Sequence, residues 1–402
     1  MKLRTNRALA IVIALLPATI CQGAEAAKAV KALLPLDGKF TYLERSDFRR
    51  YESGKFVGLE HREVRGALQQ GTVALATNVE GTFYLLQALD HSGTETAQEV
   101  AQTVPVAYSI QPDGTYDSAD NVAYPTLRGF PVIPVDDIAV GDTWTAVGTR
   151  LVEPLHDGKF SRTRFIAAYR YAGEATVGGK TVRVISATWA DRYKRGDDPA
   201  GDDRLLSVSG NHAVSIQLAE PSGGLSFMQD QVDETYSFVD GTSVQLKGFI
   251  LTWWTVSTPL NRTETADIIA KKLQESGTKD IVIEQKKEGV SLSVNNIHFV
   301  AEQAAFLPDE PPRLQALAAA LKLIAGRNFL VVGHTADVGT KESQYTLSVQ
   351  RAKAVVDFMT SQGINAGRFL YEGRGGTEPV APSDTEENMA KNRRVEIFIL
   401  DQ

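Results

Sequence analysis

The sequence predicts an α+β protein of two domains: an N-terminal antiparallel β-rich domain, then an α/β sandwich with helices packed on a mixed sheet. Three observations lead there. The chain has 402 residues, more than one ordinary core can use. From about Lys28 to Pro259 hairpin turns recur and helical periodicity is scarce. From Thr263 onward, apolar strands alternate with amphipathic helices, the pattern of helices laid on a sheet. The expected division is an export signal at 1–26, a β-rich domain at 27–259 and the α/β domain at 263–402, the last able to fold alone.

The first 26 residues are expected to be removed. "MKLRTNR" is a short basic segment, and "ALAIVIALLPATI" is an apolar run long enough for a signal-peptide core but too short to span a bilayer. Ala24-Glu25-Ala26 supplies small residues at the cleavage site. The single cysteine, Cys21, follows Ile20, where a lipidation signal wants a small residue. Cleavage after Ala26 leaves a chain without cysteine, which suits an oxidising envelope compartment. No later run of eighteen apolar residues calls for a membrane-spanning helix. A net charge of −7 gives no surplus of cations to neutralise phosphates, so nucleic acid is not an expected partner.

In the β-rich region "YESGKF", "PDGTY", "HDGKF", "TVGGKTV" and "VDGTSV" each set a Gly-containing turn between strand-forming flanks. "VDGTSVQLKG" alternates, with Val244 and Leu246 on one face and Ser243, Gln245 and Lys247 on the other. Little chemistry is legible here. His61, His91, His156 and His212 lie far apart, and there is no nucleophile elbow and no metal-spacing motif. "GDDPAGDDR" lacks the ligand spacing of a calcium loop and reads as a solvated acidic turn. "GDTWTA" and "LTWWTV" read as core or sheet tryptophans.

Beyond Thr263, "TETADIIAKKLQESG" predicts a helix with Ile268, Ile269 and Leu273 on its apolar face and Gly277 after its end. "KDIVIEQ" and "GVSLSVNNIHF" predict strands. "PPRLQALAAALKLIAG" predicts a helix entered through two prolines, with Leu314, Leu317, Leu321 and Ile324 as its stripe. "NFLVVGHT" is a buried strand, "ESQYTLSVQRAKAVVDFMTSQG" a long helix stopped by Gly363, and "RFLYEGRG" and "RRVEIFIL" the last strands.

"NNIHF", "GHTADVGT", "LSVQRAKAV" and "NRRVEI" stand in the order and spacing of the OmpA-like C-terminal domain, and residues 263–402 resemble that family. The resemblance implies non-covalent binding of the peptidoglycan stem peptide through its diamino acid, with no catalysis and no cofactor or metal. A zwitterionic residue needs one anion and one cation. The position that matches is Arg351, able to fork a carboxylate with two N–H bonds, and the acid expected to face it is Asp337, one place after the usual acid position. Asn392 and Arg393 match family positions that line or brace the cleft, Thr335 matches the residue at the strand end beside the acid, and Gln344 is a further candidate ligand-binding residue. The chain departs from the pattern at Ala336, which takes the usual acid position, at Gln344 in place of asparagine, at Glu302 in place of aspartate, and at Asn388-Met389 in place of Gly-Arg. Without the resemblance, Asp337 is a turn residue, Arg351 a solvated helix residue, and His334 a packed side chain.

The resemblance implies an envelope location, in the periplasm or at the outer membrane, and leaves the β-rich domain free for an outer-membrane or periplasmic protein partner. Two rivals stay open. A cell-wall hydrolase targeted by the C-terminal domain should show paired acids or a metal site in the β region. An outer-membrane barrel over 28–259 should show apolar lipid-facing rows, and "LERSDFRRYESGKFVGLEHREVRG" is charged on both faces.

Overall fold

A computed structural model describes residues 38–400, apart from 74–75, 89–96, 112–115, 119–122, 135–137, 220–223, 287–288, 295–296, 298 and 300–302. The export signal with Cys21, the "PDG" of one turn signal, His91 and Glu302 therefore lie outside the described residues.

Strands β1 (Gly38–Glu52), β2 (Lys55–Val73), β3 (Ala76–Ala88), β4 (Gln98–Ile110) and β5 (Tyr116–Ser118) form successive antiparallel pairs. So do β6 (Leu127–Arg128), β7 (Thr143–Val152), β8 (Ser161–Val177), β9 (Lys180–Lys194), β10 (Leu205–Ala219), β11 (Leu225–Phe238) and β12 (Ser243–Ser257). β12 returns to pair with β1, so the order is β5-β4-β3-β2-β1-β12-β11-β10-β9-β8-β7-β6. Among the described residues the hairpin signals fall between paired strands. Ser53-Gly54 and Gly178-Gly179 take positive φ at two-residue turns, the backbone that matches strand twist.

The strands alternate cleanly. Along β8, Phe165, Ala167, Tyr169 and Tyr171 are buried while Arg164, Ile166, Ala168 and Arg170 are exposed. The buried face curls round on itself. β7 and β11 are four places apart, roughly 19 Å in a flat sheet, yet Arg150 of β7 bonds to Glu234 of β11. Tyr124, Phe130 and Ile138, between β5 and β7, pack against this inner face. The outer face carries Arg164, Arg170, Arg192 and Asp233 in exposed positions.

After this sheet come α1 (Arg262–Glu275), β13 (Ile281–Lys286), β14 (Gly289–Val294), α2 (Pro311–Leu321), β15 (Phe329–Gly333), α3 (Lys341–Ser361), β16 (Phe369–Gly373), α4 (Glu386–Asn392) and β17 (Val395–Leu400). The strand order is β13-β14-β17-β15-β16, with β15 and β16 parallel and the remaining pairs antiparallel. This is the expected mixed sheet. Helices α1 to α3 cover one face, where Leu314, Leu317, Leu321 and Ile324 meet Phe329, Val331 and Ile397. Ile268 is an exception to its predicted stripe. It stays exposed, because one residue's turn from Ile269 carries it off the buried face. α4 was not predicted; its seven residues are too few to show a period, and only the Thr385 cap marks its start.

The other face of this second sheet is apolar and is also covered. Leu330, Val332, Leu370, Phe398 and Leu400 pack with Tyr84, Leu86 and Val100 of β3 and β4. β4 extends the sheet past β16 in parallel at Gln98 and Glu99. Thr103 donates a 2.6 Å bond to Glu372 across the same junction.

Candidate functional site

The site grows from the way α3 sits on β15 and β16. Both strands end in glycine, and a Cβ on Gly333 would lie 2.1 Å from the Ser348 carbonyl oxygen. A Cβ on Gly373 would lie 2.3 Å from Ser348 Oγ. The missing side chains let the helix backbone settle on the sheet. Gln344, Ser348 and Arg351, at helical spacings of four and three, then face inward.

Thr335 and Ala336 continue β15 as a buried segment, with Thr335 N donating to Gly375 O at 2.8 Å. Thr335 Oγ1 is buried without a hydrogen-bond partner among the described residues. Gly339, at φ +87°, turns the chain into α3, whose cap Thr340 accepts from Ser343 N. Asp337 projects from this turn with half its side chain exposed. Its Oδ1 accepts from Lys341 Nζ at 2.6 Å and Gln344 Nε2 at 3.0 Å. The hydrogen bond from Lys341, then that from Gln344, hold its carboxyl below the ordinary range. Gln344 is buried and fully used, since its Oε1 also accepts from Gly376 N.

Arg351 lies two turns further along the same face, about 10 Å by helix rise. It is 6% exposed, stacks its guanidinium over the Phe299 ring at 4.8 Å, and donates from Nε to the Gln303 carbonyl at 3.3 Å. Among the described residues no carboxylate pairs with it. Burial, and then the neighbouring charge of Arg393, push its pKa down to about 10. Asp337 and Arg351 thus have different partners and do not form an ion pair with each other.

Asn392 is wholly buried and braces the adjoining loop. Its Oδ1 accepts from Val380 N and Ala381 N, and its Nδ2 donates to Ala381 O and Ser383 Oγ. Ser383 Oγ in turn meets Asp337 N at 3.3 Å, so Asn392 reaches the acid's turn through one residue. Arg393 is bonded to Glu386 of α4. His334 is packed at the strand end, with burial and then Arg394 driving its pKa down to about 3.

The β region holds chemistry that sequence reading missed. Asp191, His212 and Glu234 are buried with ligand atoms within 4.8 Å of one another. Arg150 sits among them, its Nη1 2.9 Å from His212 Nε2, 3.3 Å from Asp191 and bonded to Glu234. A guanidinium therefore occupies the place where a cation would go. His212 Nδ1 faces Asp230 Oδ2 at 2.8 Å. A signal was present in the strand parity: Asp230 and Glu234 fall in step with the inward Met228, Val232 and Tyr236. The acidic turn between β9 and β10 behaves as a turn. Asp198 accepts from Arg162 N and Ala200 N, Asp197 from Lys194 N, and Asp202 pairs with Arg204.

Residues 298–393 match the model of the OmpA family. The chain is 35% identical over 105 residues to a probable lipoprotein, YiaD, of Escherichia coli K12, covering 26% of this chain and 48% of that protein. It is 33% identical over 103 residues to the peptidoglycan-binding protein ArfA of Mycobacterium bovis, covering 26% and 32%. Against the peptidoglycan-associated lipoprotein of Pseudomonas aeruginosa it is 30% identical over 110 residues, covering 27% and 65%. The matches thus span 32% to 65% of these relatives' lengths. Among solved structures, the cell wall anchor of the T6SS from Pseudomonas aeruginosa aligns at 28% identity, covering 35% of this chain and all of that one, with a TM-score of 0.31.

Proposed function

With residues 298–393 forming an OmpA-family domain, we propose that this protein binds peptidoglycan non-covalently and anchors an exported envelope protein to the cell wall. Two relatives whose names state such binding or association support the reading. The observation that carries it is Arg351, a buried cation that no described carboxylate neutralises. Its stacking on Phe299 fixes the guanidinium plane, which suits two-pronged binding of a carboxylate. Asp337 supplies the opposite pole and already receives an ammonium, that of Lys341. The ligand is the zwitterionic diamino acid of the stem peptide, its carboxylate on Arg351 and its ammonium on Asp337 in place of Lys341. Thr335, Gln344, Asn392 and Arg393 shape the walls, Gln344 and Asn392 by bracing. No catalysis is involved. The working place is the periplasm or the outer membrane, with the β-rich region turned toward a partner there. The outer face of the β sheet mixes charged residues such as Arg164, Arg170 and Asp233 with apolar ones such as Ile166 and Phe249, unlike the continuous apolar band of a lipid-facing barrel.

Co-sedimentation of the full chain with isolated peptidoglycan tests this. Arg351→Ala and Asp337→Ala should each weaken binding about ten- to a hundredfold, the worth of one charge-assisted bond at roughly 1.5–3 kcal/mol. Arg351→Lys should also weaken it, and Lys341→Ala should leave it equal or tighter. Added salt should reduce binding. Parental binding by Arg351→Ala would sink the clamp, and clearing on a cell-wall zymogram would turn the reading to a hydrolase.

A further inference from the structure

A cavity of about 160 Å3 lies inside the N-terminal sheet, between the inner faces of β1, β2, β11 and β12 and the segment 125–133. Its size is close to the ~150 Å3 that admits one aromatic ring in other proteins. Much of the wall is aromatic: Tyr42, Phe83, Tyr108, Phe130 and Trp254 line it. The faces of such rings attract cations. The ionisable lining leans negative, with Glu44, Glu60, Glu153 and Asp230 against Arg62, Arg150 and His156.

Asp230 sets the polarity of the deep end. It is 1% exposed, and its Oδ2 is held by His212 while its Oδ1 is buried with no hydrogen-bond partner among the described residues. A buried carboxylate oxygen left bare is costly, and a donor bound in the cavity removes that cost. Charge counting chooses the donor. Arg150 and His212 offer two positive charges, and Asp191, Glu234 and Asp230 three negative ones. Arg150 is already spent on Asp191 and Glu234, and Tyr236 donates to the second oxygen of Glu234. With the three carboxylates ionised and His212 protonated, one negative charge among these described groups stays unmatched beside the cavity. Burial raises the Asp230 carboxyl, as expected of an acid short of a counter-charge.

We propose that this cavity binds a small organic cation, an ammonium on an apolar body about one ring in size, with the ammonium on Asp230 Oδ1 and the body against the aromatic wall. The site is separate from the cell-wall clamp and does not depend on that reading. Trp254 on the wall reports occupancy by its fluorescence.

The experiment titrates the full chain with benzylammonium, benzyl alcohol and benzoate, which share a body and differ in charge. Benzylammonium should bind at least tenfold more tightly than the other two, and Asp230→Asn should remove that preference. Asparagine can still accept from His212, and far-UV circular dichroism checks the fold. Should Asp230→Asn not fold, Ile250→Phe fills the cavity from β12 with Asp230 intact and should weaken benzylammonium by tenfold or more. Equal binding of all three probes, preference for benzoate, no binding, or retained preference in Asp230→Asn each overturns the proposal.

Discussion

Arg150 and Arg351 are the same side chain in opposite electrostatic settings. Both are largely buried, and burial alone disfavours the charge of each. Around Arg150, Glu234 and other acids more than offset that cost, and its pKa is raised. Arg351 has only a carbonyl and a ring among its described contacts, so its pKa falls. The first is a finished structural neutralisation, while the second has no carboxylate partner among the described residues. Histidines show the same contrast. Burial lowers His334 to about 3, whereas hydrogen bonds to Asp191, Asp230 and Glu234 overcome burial and raise His212 to about 10. A His334 that stays neutral when folded contributes stability that is complete above its unfolded value of 6.5 and lost as pH falls toward 3. Glu396, buried but pulled down to about 2 by Lys286 and Arg394, adds a loss between 4.5 and 2. His212 works the other way, its contribution present below 6.5 and lost as pH rises toward 10. Urea unfolding should therefore show greatest stability near neutral pH. Its acid limb should steepen by up to about 1.4 kcal/mol per pH unit from His334 alone. His334→Phe should flatten that limb between pH 6.5 and 4.5, and an unchanged slope would assign it to other groups.

At the scale of elements, the decisive contact is α3 on the ends of β15 and β16. Gly333 and Gly373 permit it, and a Cβ at Gly373 would also lie 2.5 Å from Val349 N, a backbone atom that cannot rotate away. Gly373→Ala should cost about 1–3 kcal/mol by overpacking. It should weaken peptidoglycan binding as well, because Gln344 and Arg351 ride on the displaced helix. Thermal unfolding and co-sedimentation read the two effects separately. A variant with lowered stability but parental binding would show that the helix shifts without disturbing the clamp.

At the scale of the molecule, the two sheets share a core. The face of the C-terminal sheet away from its helices carries Leu330, Val332, Leu370, Phe398 and Leu400, and β3 and β4 seal it. The expected independence of residues 263–402 meets this contact. A fragment Arg262–Gln402 keeps the helical core of α1 to α3 but loses Tyr84, Leu86 and Val100. It should fold with lower stability than in the full chain and bind a hydrophobic dye that the full chain excludes. In the full chain, Tyr84→Ala should cost about 3 kcal/mol or more, as a buried aromatic truncation. A fragment as stable as the whole would show that the seal contributes nothing.

The sequence by itself determined the local code. Hairpin turns at Ser53-Gly54 and Gly178-Gly179, the stripe of α2, and the strand and helix pattern carrying Asp337 and Arg351 are all written in residues near one another. Turn type and helical period depend on short-range sterics. What only the tertiary structure decided depends on chain segments far apart. Arg150, Asp191, His212, Asp230 and Glu234 come from four strands, β7, β9, β10 and β11, the outermost two lying four places apart, and meet because the sheet curls. Inward acids on β11 were visible as a parity anomaly, but not their partners. The particular bonds through which Gln344 and Asn392 brace the site, and the seal of β3 and β4 on the second sheet, were equally beyond reach. Period and turn chemistry say which face of a strand is buried, while what it is buried against is set by the closure of long loops and by long-range packing.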